Sequence, residues 1–445
     1  MKKQMLPLLF FWILSTLSAP LIAKETTDII IEQQNIELIS KPEPSKMPID
    51  ELRLFSDIFE QLKNNYVDPI SDKELIQNAI KGMLALDPHS KYYPKEEYQR
   101  IQNQTSGSFA GIGIETRLDA NHQVLIIEKV FDNSPAFKAQ LKVKDQITKI
   151  NNEDVSMINP KEYENTLQGK VDTNITLTIL REGETFDYTL KRQNIHTPSL
   201  SNAQLYNHEF AYFKLGRFQQ KSDEELVNAL MALEVEAKTE NSEIHGVILD
   251  LRDNRGGLLT AAIAVADLFL DEGLITYTSG QSERFKDRYE AKKGDIITDI
   301  PLIILINSQS ASGSEIVAGA LQDHSRALIV GERSYGKGSI QSIQPLKNGD
   351  AIRYTSARYY TPNGNSIQNY GITPDVILPN ISAKINTQET SREVDNIGHL
   401  ENSNDPNNQS RMPANFADLI EQGDFPLYEA LNILKAISYS SNIVK

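Results

Sequence analysis

The spacing of hydrophobic residues changes along the chain and first indicates a helical region. Between Ile49 and Ile101 apolar side chains recur at steps of three and four residues, which places them on one face of a helix. Asp72–Met83 has the same periodicity and predicts a second amphipathic helix. The apolar face of the first helix comprises Leu52, Phe55, Ile58, Phe59 and Leu62. We therefore predict an N-terminal helical region over residues 49–104.

The pattern then switches to short strands separated by turns. Val124–Ile127 and Gln146–Ile150 have the composition of strands, and a hairpin is predicted around Arg181–Gly183. Ser134 followed by Pro135 is typical of the start of a short, capped helix. These features predict a mostly-β domain over residues 105–193.

Residues 194–380 alternate strands and helices. Gly246–Leu251, Pro301–Ile306 and Ala327–Val330 are largely apolar, as expected for strands buried on both faces. An apolar helix, Leu258–Leu270, follows the first of them. The alternation predicts an α/β core, with a mixed sheet and helices packed on it.

The last region, residues 381–445, begins with a polar linker and ends in a helical pattern. Helical spacing runs from Asn415 to Tyr439, and we expect Gly423 and Pro426 to break it in two. Its apolar face predicts either docking on the core or pairing between subunits.

Ser312 and Lys337 are the candidates for chemistry. Ser312 lies between the apolar run Pro301–Ile306 and a small-residue helical pattern, Ile316–Asp323. That order indicates a strand, a sharp turn and a helix, with the serine exposed beside free helix N–H groups. Lys337 is flanked by glycines, which allow it to approach another group closely. Activation of a serine by a lysine is a known variant of the serine nucleophile.

Two other interpretations use the same residues. Ser312 and Glu315 have the S-x-x-E spacing of a capping box, so the serine could only cap its helix. Gly331 to Lys337 matches G-x-x-x-x-G-K, the start of a phosphate-binding loop. Gly338 stands where that loop needs Ser or Thr, and a strand-like pattern follows instead of a helix. Nucleotide binding is therefore disfavoured, whereas a cap and a nucleophile are compatible.

Several ordered motifs resemble the carboxyl-terminal processing peptidases, or tail-specific proteases, over about residues 50 to 380. Two positions depart from the family's usual pattern, since Gly313 replaces an alanine and Arg255 interrupts a glycine- or proline-containing turn. The resemblance implies a serine endopeptidase with catalytic Ser312 and Lys337. The motifs are Tyr66–Pro69, Asp250–Gly257, Ser310–Ile316, Ala318–Asp323, Tyr335–Gly338 and Tyr359–Gly364.

Three further residues complete the predicted catalytic centre. Gln341 lies two strand repeats beyond Lys337, so it points to the same face and could orient the lysine without adding charge. The N–H of Gly313 sits at the helix start beside the nucleophile and suits an oxyanion. The resemblance implies a second oxyanion donor at Gly257.

The mostly-β region resembles a PDZ domain. Such a domain binds a peptide by strand addition, while backbone N–H groups hold the terminal carboxylate. Gly111, Ile112, Gly113 and Ile114 form the predicted peptide-binding loop, because glycines leave N–H groups accessible. A simple glycine bend before a strand is the alternative. Gln140 and Lys144 replace glycines that are usual in PDZ domains.

Composition excludes several other classes of site. The formal net charge of −15, with no basic stripe, argues against nucleic-acid binding. The chain has no cysteine and no H-E-x-x-H motif, so we predict neither a metal site nor a cofactor. His324 follows Ser312 on the same predicted helix, and twelve residues at ~1.5 Å each place it roughly 18 Å away. A serine–histidine pair at that position is excluded.

The N-terminus predicts export. Lys2 and Lys3 precede an apolar stretch, and Ala23 is a candidate cleavage site, so residues 1–23 have the features of a signal peptide. Residues 24–48 form a proline-rich linker. We expect export across the bacterial inner membrane into the periplasm. An uncleaved anchor over Leu6–Ile22 is the alternative, and it would keep the protein membrane-associated.

Together these observations predict an exported serine endopeptidase that recognises C-terminal tails and cleaves near them. A PDZ-type scaffold with an inactive protease core is the alternative, and an esterase on the same nucleophile is a third interpretation. The expected partners are proteins and peptides with free C-termini. A homodimer through the N- and C-terminal helical regions and an adaptor protein remain open as further partners.

Overall fold

A computed structural model describes residues 47–119, 121, 123–159, 162–379, 381 and 416–443. The predicted signal peptide, nearly all of the 24–48 linker and most of the polar segment after residue 380 lie outside the described residues. The chain divides into two units, Met1–Leu75 and Ile76–Lys445. Within the described ranges, no helix has both the length and the apolar character that a bilayer-spanning segment requires.

The first unit contains helix α1, Ile49–Asn65. Asp50 and Glu51 lie in its first turn and Lys63 in its last, which suits the helix dipole. The predicted apolar face is present but largely exposed, with Phe55 at 44% and Ile58 at 49% of full exposure. Helix α2, Asp72–Leu84, begins in this unit and ends in the second.

The predicted helical region is confirmed, and it also contains a short strand that the sequence pattern did not indicate. Strand β1, Lys91–Tyr93, separates α2 from helix α3, Lys95–Ser106. Tyr92 and Tyr93 are buried, and the strand pairs antiparallel with residues 351–353. This strand depends on a pairing with residues far away in the sequence, which a local pattern does not reveal.

The PDZ-like region is a sheet of short antiparallel strands. Its order is β3-β4-β5-β7-β8, with β6 on β5, and β2 and β9 form a separate two-stranded sheet. The core packs Ile127, Ile147 and Ile179 between the sheet and two short helices. The elements are β2 Ser108–Gly111, β3 Ile114–Asp119, β4 Val124–Val130, α4 Pro135–Lys138, β5 Gln146–Ile150, β6 Glu153–Asp154, α5 Tyr163–Leu167, β7 Asn174–Arg181, β8 Glu184–Lys191 and β9 Gln193–His196.

Gln140 and Lys144 show how this domain tolerates the loss of two glycines. Both adopt left-handed backbone conformations, with φ of 60° and 76°. Glycine takes such angles without steric cost, whereas other residues are strained there. The turn therefore keeps the glycine geometry with non-glycine residues.

The α/β core is built on a largely parallel sheet with strand order β10-β11-β12-β15-β16-β19. Only the β10–β11 pairing is antiparallel within it. A second, antiparallel sheet has the order β1-β18-β13-β14, with β17 on β18. The elements are β10 Leu200–Tyr206, β11 Phe210–Leu215, α6 Ser222–Thr239, β12 Gly246–Asp250, α7 Leu259–Asp267, β13 Leu274–Gly280, β14 Arg288–Glu290, β15 Leu302–Ile306, α8 Gly313–Asp323, β16 Leu328–Gly331, β17 Ser339–Pro345, β18 Ala351–Tyr360 and β19 Val376–Ile377.

The C-terminal helices, α9 Ala417–Glu421 and α10 Phe425–Ile443, dock on the core sheet. Leu434 packs so closely that a Cβ on Gly246 would lie 2.6 Å from its Cγ. Gly423, with φ 82°, separates the helices as predicted. Pro426 lies in the first turn of the second helix, where its missing N–H is tolerated, so the predicted division into two helices is confirmed.

Candidate active site

Ser312 occupies a strained turn between β15 and α8. Its backbone has φ 55° and ψ −109°, which few non-glycine residues adopt. Ser310 supports the turn, because its hydroxyl donates to the Leu251 carbonyl at 2.8 Å and accepts from the Asn307 N–H at 2.9 Å. Strain held in this way is typical of functional positions.

Glu315 connects this turn to the segment that carries Lys337. The carboxylate is fully buried. It accepts hydrogen bonds from the Ser312 N–H at 2.7 Å, the Gly336 N–H at 2.6 Å and the Lys337 N–H at 2.9 Å. It also accepts from the Ser334 hydroxyl at 2.6 Å. Burial raises the pKa of Glu315, and these four hydrogen bonds oppose the increase. The S-x-x-E spacing therefore caps the helix and also fixes the lysine segment.

Lys337 lies half-buried between β16 and β17. Burial lowers the pKa of its ammonium group, the positive charge of Arg353 lowers it further, and Glu315 acts in the opposite direction. The Tyr359 hydroxyl donates to the Lys337 carbonyl and holds the backbone. Gly338 allows a close approach, since a Cβ there would lie 2.6 Å from the Gln368 nitrogen. The site thus favours a neutral lysine at a lower pH than an exposed lysine would require.

Gln341 lines the same cleft as Lys337, as predicted. The regular alternation of side chains along a strand, on which that prediction was based, does not hold here. β17 begins at Ser339, and its pairing with β18 shifts register between Ile340 and Gln341. The Gln341 amide donates to Ser339 Oγ at 3.0 Å and reaches Thr355 Oγ1 at 3.5 Å. Its role in orienting Lys337 remains a prediction.

The predicted oxyanion residues lie against the nucleophile. A Cβ on Gly256 would come within 2.8 Å of Ser312 Cβ and 3.0 Å of the Gly313 nitrogen. A Cβ on Gly257 would lie only 2.0 Å from the Phe218 carbonyl oxygen, so both positions require glycine. The Gly256–Gly257 turn is therefore packed beside the start of α8.

Asn254 anchors that turn, a role that the sequence motif did not reveal. Its Oδ1 accepts from the Gly256 N–H at 2.9 Å, and its Nδ2 donates to the Leu215 carbonyl at 2.9 Å. Its own carbonyl accepts from the Ser314 hydroxyl at 2.8 Å and the Ala311 N–H at 3.0 Å. In the sequence, an Asn placed between an apolar strand and paired glycines is the signal that could have suggested its role in anchoring the turn.

One cleft of about 510 Å³ brings the predicted catalytic and oxyanion residues together. Apolar side chains from α7, α8 and β17 form part of its wall. No histidine of the described part of the chain lines it. The predicted site residues that line this cleft are Ser312, Lys337, Gln341, Gly257 and Gly313.

The charge of Lys337 acts on a histidine, His89, that does not line the cleft. Burial lowers the pKa of His89, and the positive charge of Lys337 lowers it further.

Across the described residues, no group of three or more His, Cys, Asp or Glu side chains is placed to hold a metal ion.

A second groove of about 400 Å³ lies in the PDZ-like domain. Ile112, Gly113 and Ile114 line it, whereas Gly111 ends β2 opposite Gln193 and is not part of the lining. Gly113 has φ 81°, and a Cβ there would lie 2.2 Å from Ser134 Cβ. Strand β3 stands at the end of the sheet order, where it can pair with an added strand.

Comparison with known proteins agrees with this architecture. A model of peptidase family S41 matches residues 209–378, and a PDZ domain model matches residues 100–180. A model described as the activating protease CtpB N-terminal domain matches residues 19–97.

Two curated relatives extend the similarity over most of the chain. A carboxy-terminal-processing protease of Bartonella bacilliformis is 38% identical over 86% of this chain and 88% of its own length. A carboxyl-terminal-processing protease of Synechocystis sp. is 36% identical over 71% of this chain and 74% of its own length.

Among solved structures, a photosystem II D1 C-terminal processing protease is 27% identical, with a TM-score of 0.43, covering 74% of this chain and 93% of that one. The family of this chain is assigned from the sequence relatives and the family models alone. The chain belongs to the carboxyl-terminal-processing serine proteases, a PDZ-containing group within peptidase family S41.

Proposed function

We propose that this protein is an exported endopeptidase that recognises C-terminal tails and cleaves near them with a Ser312–Lys337 mechanism. One observation carries the proposal: Ser312 and Lys337 line the same cleft and are held by one buried carboxylate, Glu315. The pKa of Lys337 is lowered by burial, as a general base requires.

In the proposed reaction, neutral Lys337 takes the proton of the Ser312 hydroxyl as Oγ bonds to the scissile carbonyl carbon. The N–H groups of Gly257 and Gly313 stabilise the resulting oxyanion. Lys337 then returns the proton to the leaving amine, and the peptide C–N bond breaks. A water molecule, deprotonated by Lys337, then attacks the acyl-serine carbonyl carbon. The ester C–O bond breaks, Lys337 returns the proton to Ser312 Oγ, and the product leaves with its new terminal carboxyl group.

Lining residues that are shared between neighbouring cavities support tail recognition. A third cavity of about 300 Å³ shares Phe109, Gln168 and Thr197 with the PDZ groove. The same cavity shares Arg217 with the Ser312 cleft. We propose that a tail bound along β3 follows these cavities to the nucleophile. The relatives' names, which specify carboxy-terminal processing, point to the same substrate class.

The alternative is a PDZ-type scaffold with an inactive core. Three features that destabilise or constrain the fold argue against it. They are the strained backbone of Ser312, the half-buried Lys337 and the two positions that only glycine can occupy, Gly256 and Gly257. A binding protein needs none of these.

We further propose a homodimer through α1. Its exposed apolar side chains suit a second copy of the same helix, and an adaptor protein is the alternative occupant of that face. Substituting Phe55 and Ile58 by Ser should convert a dimer to a monomer in light scattering. An unchanged mass would remove this proposal without affecting the catalytic one.

The direct test compares wild type with Ser312→Ala on a tagged protein that ends in an apolar tail. Intact-mass analysis should show a shortened product only with wild type. Equal processing by both proteins, or by neither, would overturn the proposed function. Fractionation of cells that express the full chain would test export, with periplasmic recovery expected.

A further inference from the structure

The Ser312 cleft is basic in a chain that is strongly acidic overall. The formal net charge is −15, yet four of the residues lining the cleft are basic. No Asp or Glu is among the described lining residues. A cleft lined by charges of one sign concentrates their field on whatever enters it. Three of the basic residues are arginines, and the fourth, Lys337, is neutral when it acts as the proposed base; the arginines are Arg217, Arg255 and Arg353.

The three arginines keep their charge available. Arg255 donates to the neutral Gln309 side chain at 2.7 Å. Arg353 donates to the His89 carbonyl at 2.7 Å and lies over the Tyr93 ring at 5.2 Å. Arg217 is exposed at the mouth of the cleft. Within the described residues, none of these three guanidinium groups forms an ion pair.

Three arginines elsewhere in the same unit are each neutralised by a carboxylate. Arg181 pairs with Asp145, Arg252 with Asp250 and Arg326 with Asp295, at distances between 2.6 and 2.7 Å. What distinguishes the cleft is that three arginines without an ion pair among the described residues line one cavity together.

We propose that the cleft selects substrates carrying Asp or Glu side chains close to the scissile bond, with Arg217 and Arg255 as the specificity-determining residues. This inference rests on the proposed endopeptidase function and adds its substrate class. Arg217 lines both the cleft and the cavity that shares residues with the PDZ groove, and Arg255 belongs to the turn that carries Gly257. Both guanidinium groups therefore line the cleft into which a substrate must enter.

Arg353 has a different task in this scheme. It is held by His89 and Tyr93, and its charge acts on Lys337. A substrate carboxylate beside Lys337 would favour the charged lysine and slow the reaction. We therefore expect acidic residues to help on the Arg217 and Arg255 side of the cleft and to hinder next to Lys337.

The test uses pairs of long peptides that share one free apolar C-terminus and differ only by Glu or Gln at one position near the cleavage site. The free carboxylate is common to each pair, so its effect cancels from the ratio of kcat/KM values. At the best position, wild type should cleave the Glu peptide about three- to tenfold faster at low salt, as expected for two partly exposed ion pairs. The ratio should approach one at about 1 M NaCl.

Variants assign the effect to the arginines. Arg217→Gln and Arg255→Gln should each reduce the Glu/Gln ratio, and Arg217→Glu should favour a Lys peptide over the Glu peptide. Arg288→Gln is the matched control, because Arg288 is exposed on β14 and does not line the cleft. Its ratio should equal that of wild type.

Each outcome has a distinct meaning. If wild type cleaves both peptides but the Glu/Gln ratio stays near one at every position, the proposed charge selection is wrong and the protease function stands. The same conclusion follows if the preference for Glu is unchanged in the Arg217 and Arg255 variants. If wild type cleaves neither peptide of any pair, the proposed function fails and this inference fails with it.

Discussion

The backbone N–H groups of Ser312 and Lys337 donate to the same atom, Glu315 Oε2, at 2.7 and 2.9 Å. Nucleophile and proposed base are therefore positioned relative to each other by one buried oxygen rather than by separate supports. Because the Glu315 carboxylate is also held by Ser334 and Gly336, neither segment can move without breaking several buried hydrogen bonds.

Replacing Glu315 by Gln should reduce both activity and stability. The amide nitrogen would face N–H donors in a buried site, and an unsatisfied buried group costs about 1–3 kcal/mol. Removing the negative charge should also lower the pKa of Lys337 further, since Glu315 now raises it. The checks are urea unfolding and the pH–rate profile. A stable, fully active Glu315→Gln variant would show that this carboxylate does not organise the site.

Arg353→Gln should move the activity profile to higher pH. The positive charge of Arg353 lowers the pKa of Lys337, so its removal should raise that pKa and delay deprotonation of the base. The measurement is kcat/KM against pH for a neutral substrate. Arg358→Gln, exposed on the same strand and outside the cleft, is the control and should keep the wild-type profile. An unshifted midpoint in the Arg353 variant would contradict the electrostatic link.

Lys144→Gly should stabilise the PDZ-like domain. Lys144 adopts φ 76°, where a side chain costs about 1–2 kcal/mol relative to glycine. The greater freedom of glycine in the unfolded chain offsets part of this gain, so we expect about 0.5–1 kcal/mol from chemical denaturation. Lys142→Gly, at a position without a left-handed backbone, should instead lose stability. A destabilised Lys144→Gly variant would mean that the side chain makes a compensating contact.

Amidation of the substrate C-terminus should weaken binding roughly ten- to a hundredfold. A charge-assisted hydrogen bond contributes about 1.5–3 kcal/mol, and amidation removes the charge that the Ile112–Ile114 loop is proposed to hold. Binding to a labelled tail peptide, measured with Ser312→Ala to prevent turnover, provides the check. Deletion of residues 105–193 distinguishes docking, which predicts slower cleavage of protein substrates, from gating, which predicts faster cleavage. Equal affinity for amidated and free-acid tails would remove tail recognition from the account.

The features that the sequence predicted best depend on local patterns. An apolar run, a serine and a small-residue helix were enough to locate the turn at Ser312, and the S-x-x-E spacing predicted its capping by Glu315. Spacing could not predict that the same carboxylate would bind the Lys337 segment, because those hydrogen bonds form only after β15 and β16 pair.

Non-local features were missed for the same reason. Nothing near Lys91–Tyr93 indicates that these residues join β18, and nothing near Arg353 places it beside Lys337. The position of Gln341 in the cleft was anticipated, but the register shift before it replaces the simple alternation on which that expectation depended.

The most direct test of the account is the pH dependence of tail cleavage by wild type and Lys337→Arg. In wild type, activity should rise as Lys337 loses its proton, with a midpoint below the ordinary lysine value of 10.5 because burial lowers the pKa. Guanidinium stays protonated throughout this range, so the arginine variant should be inactive at every pH while remaining folded by circular dichroism. Substantial cleavage by folded Lys337→Arg would contradict the lysine-base mechanism.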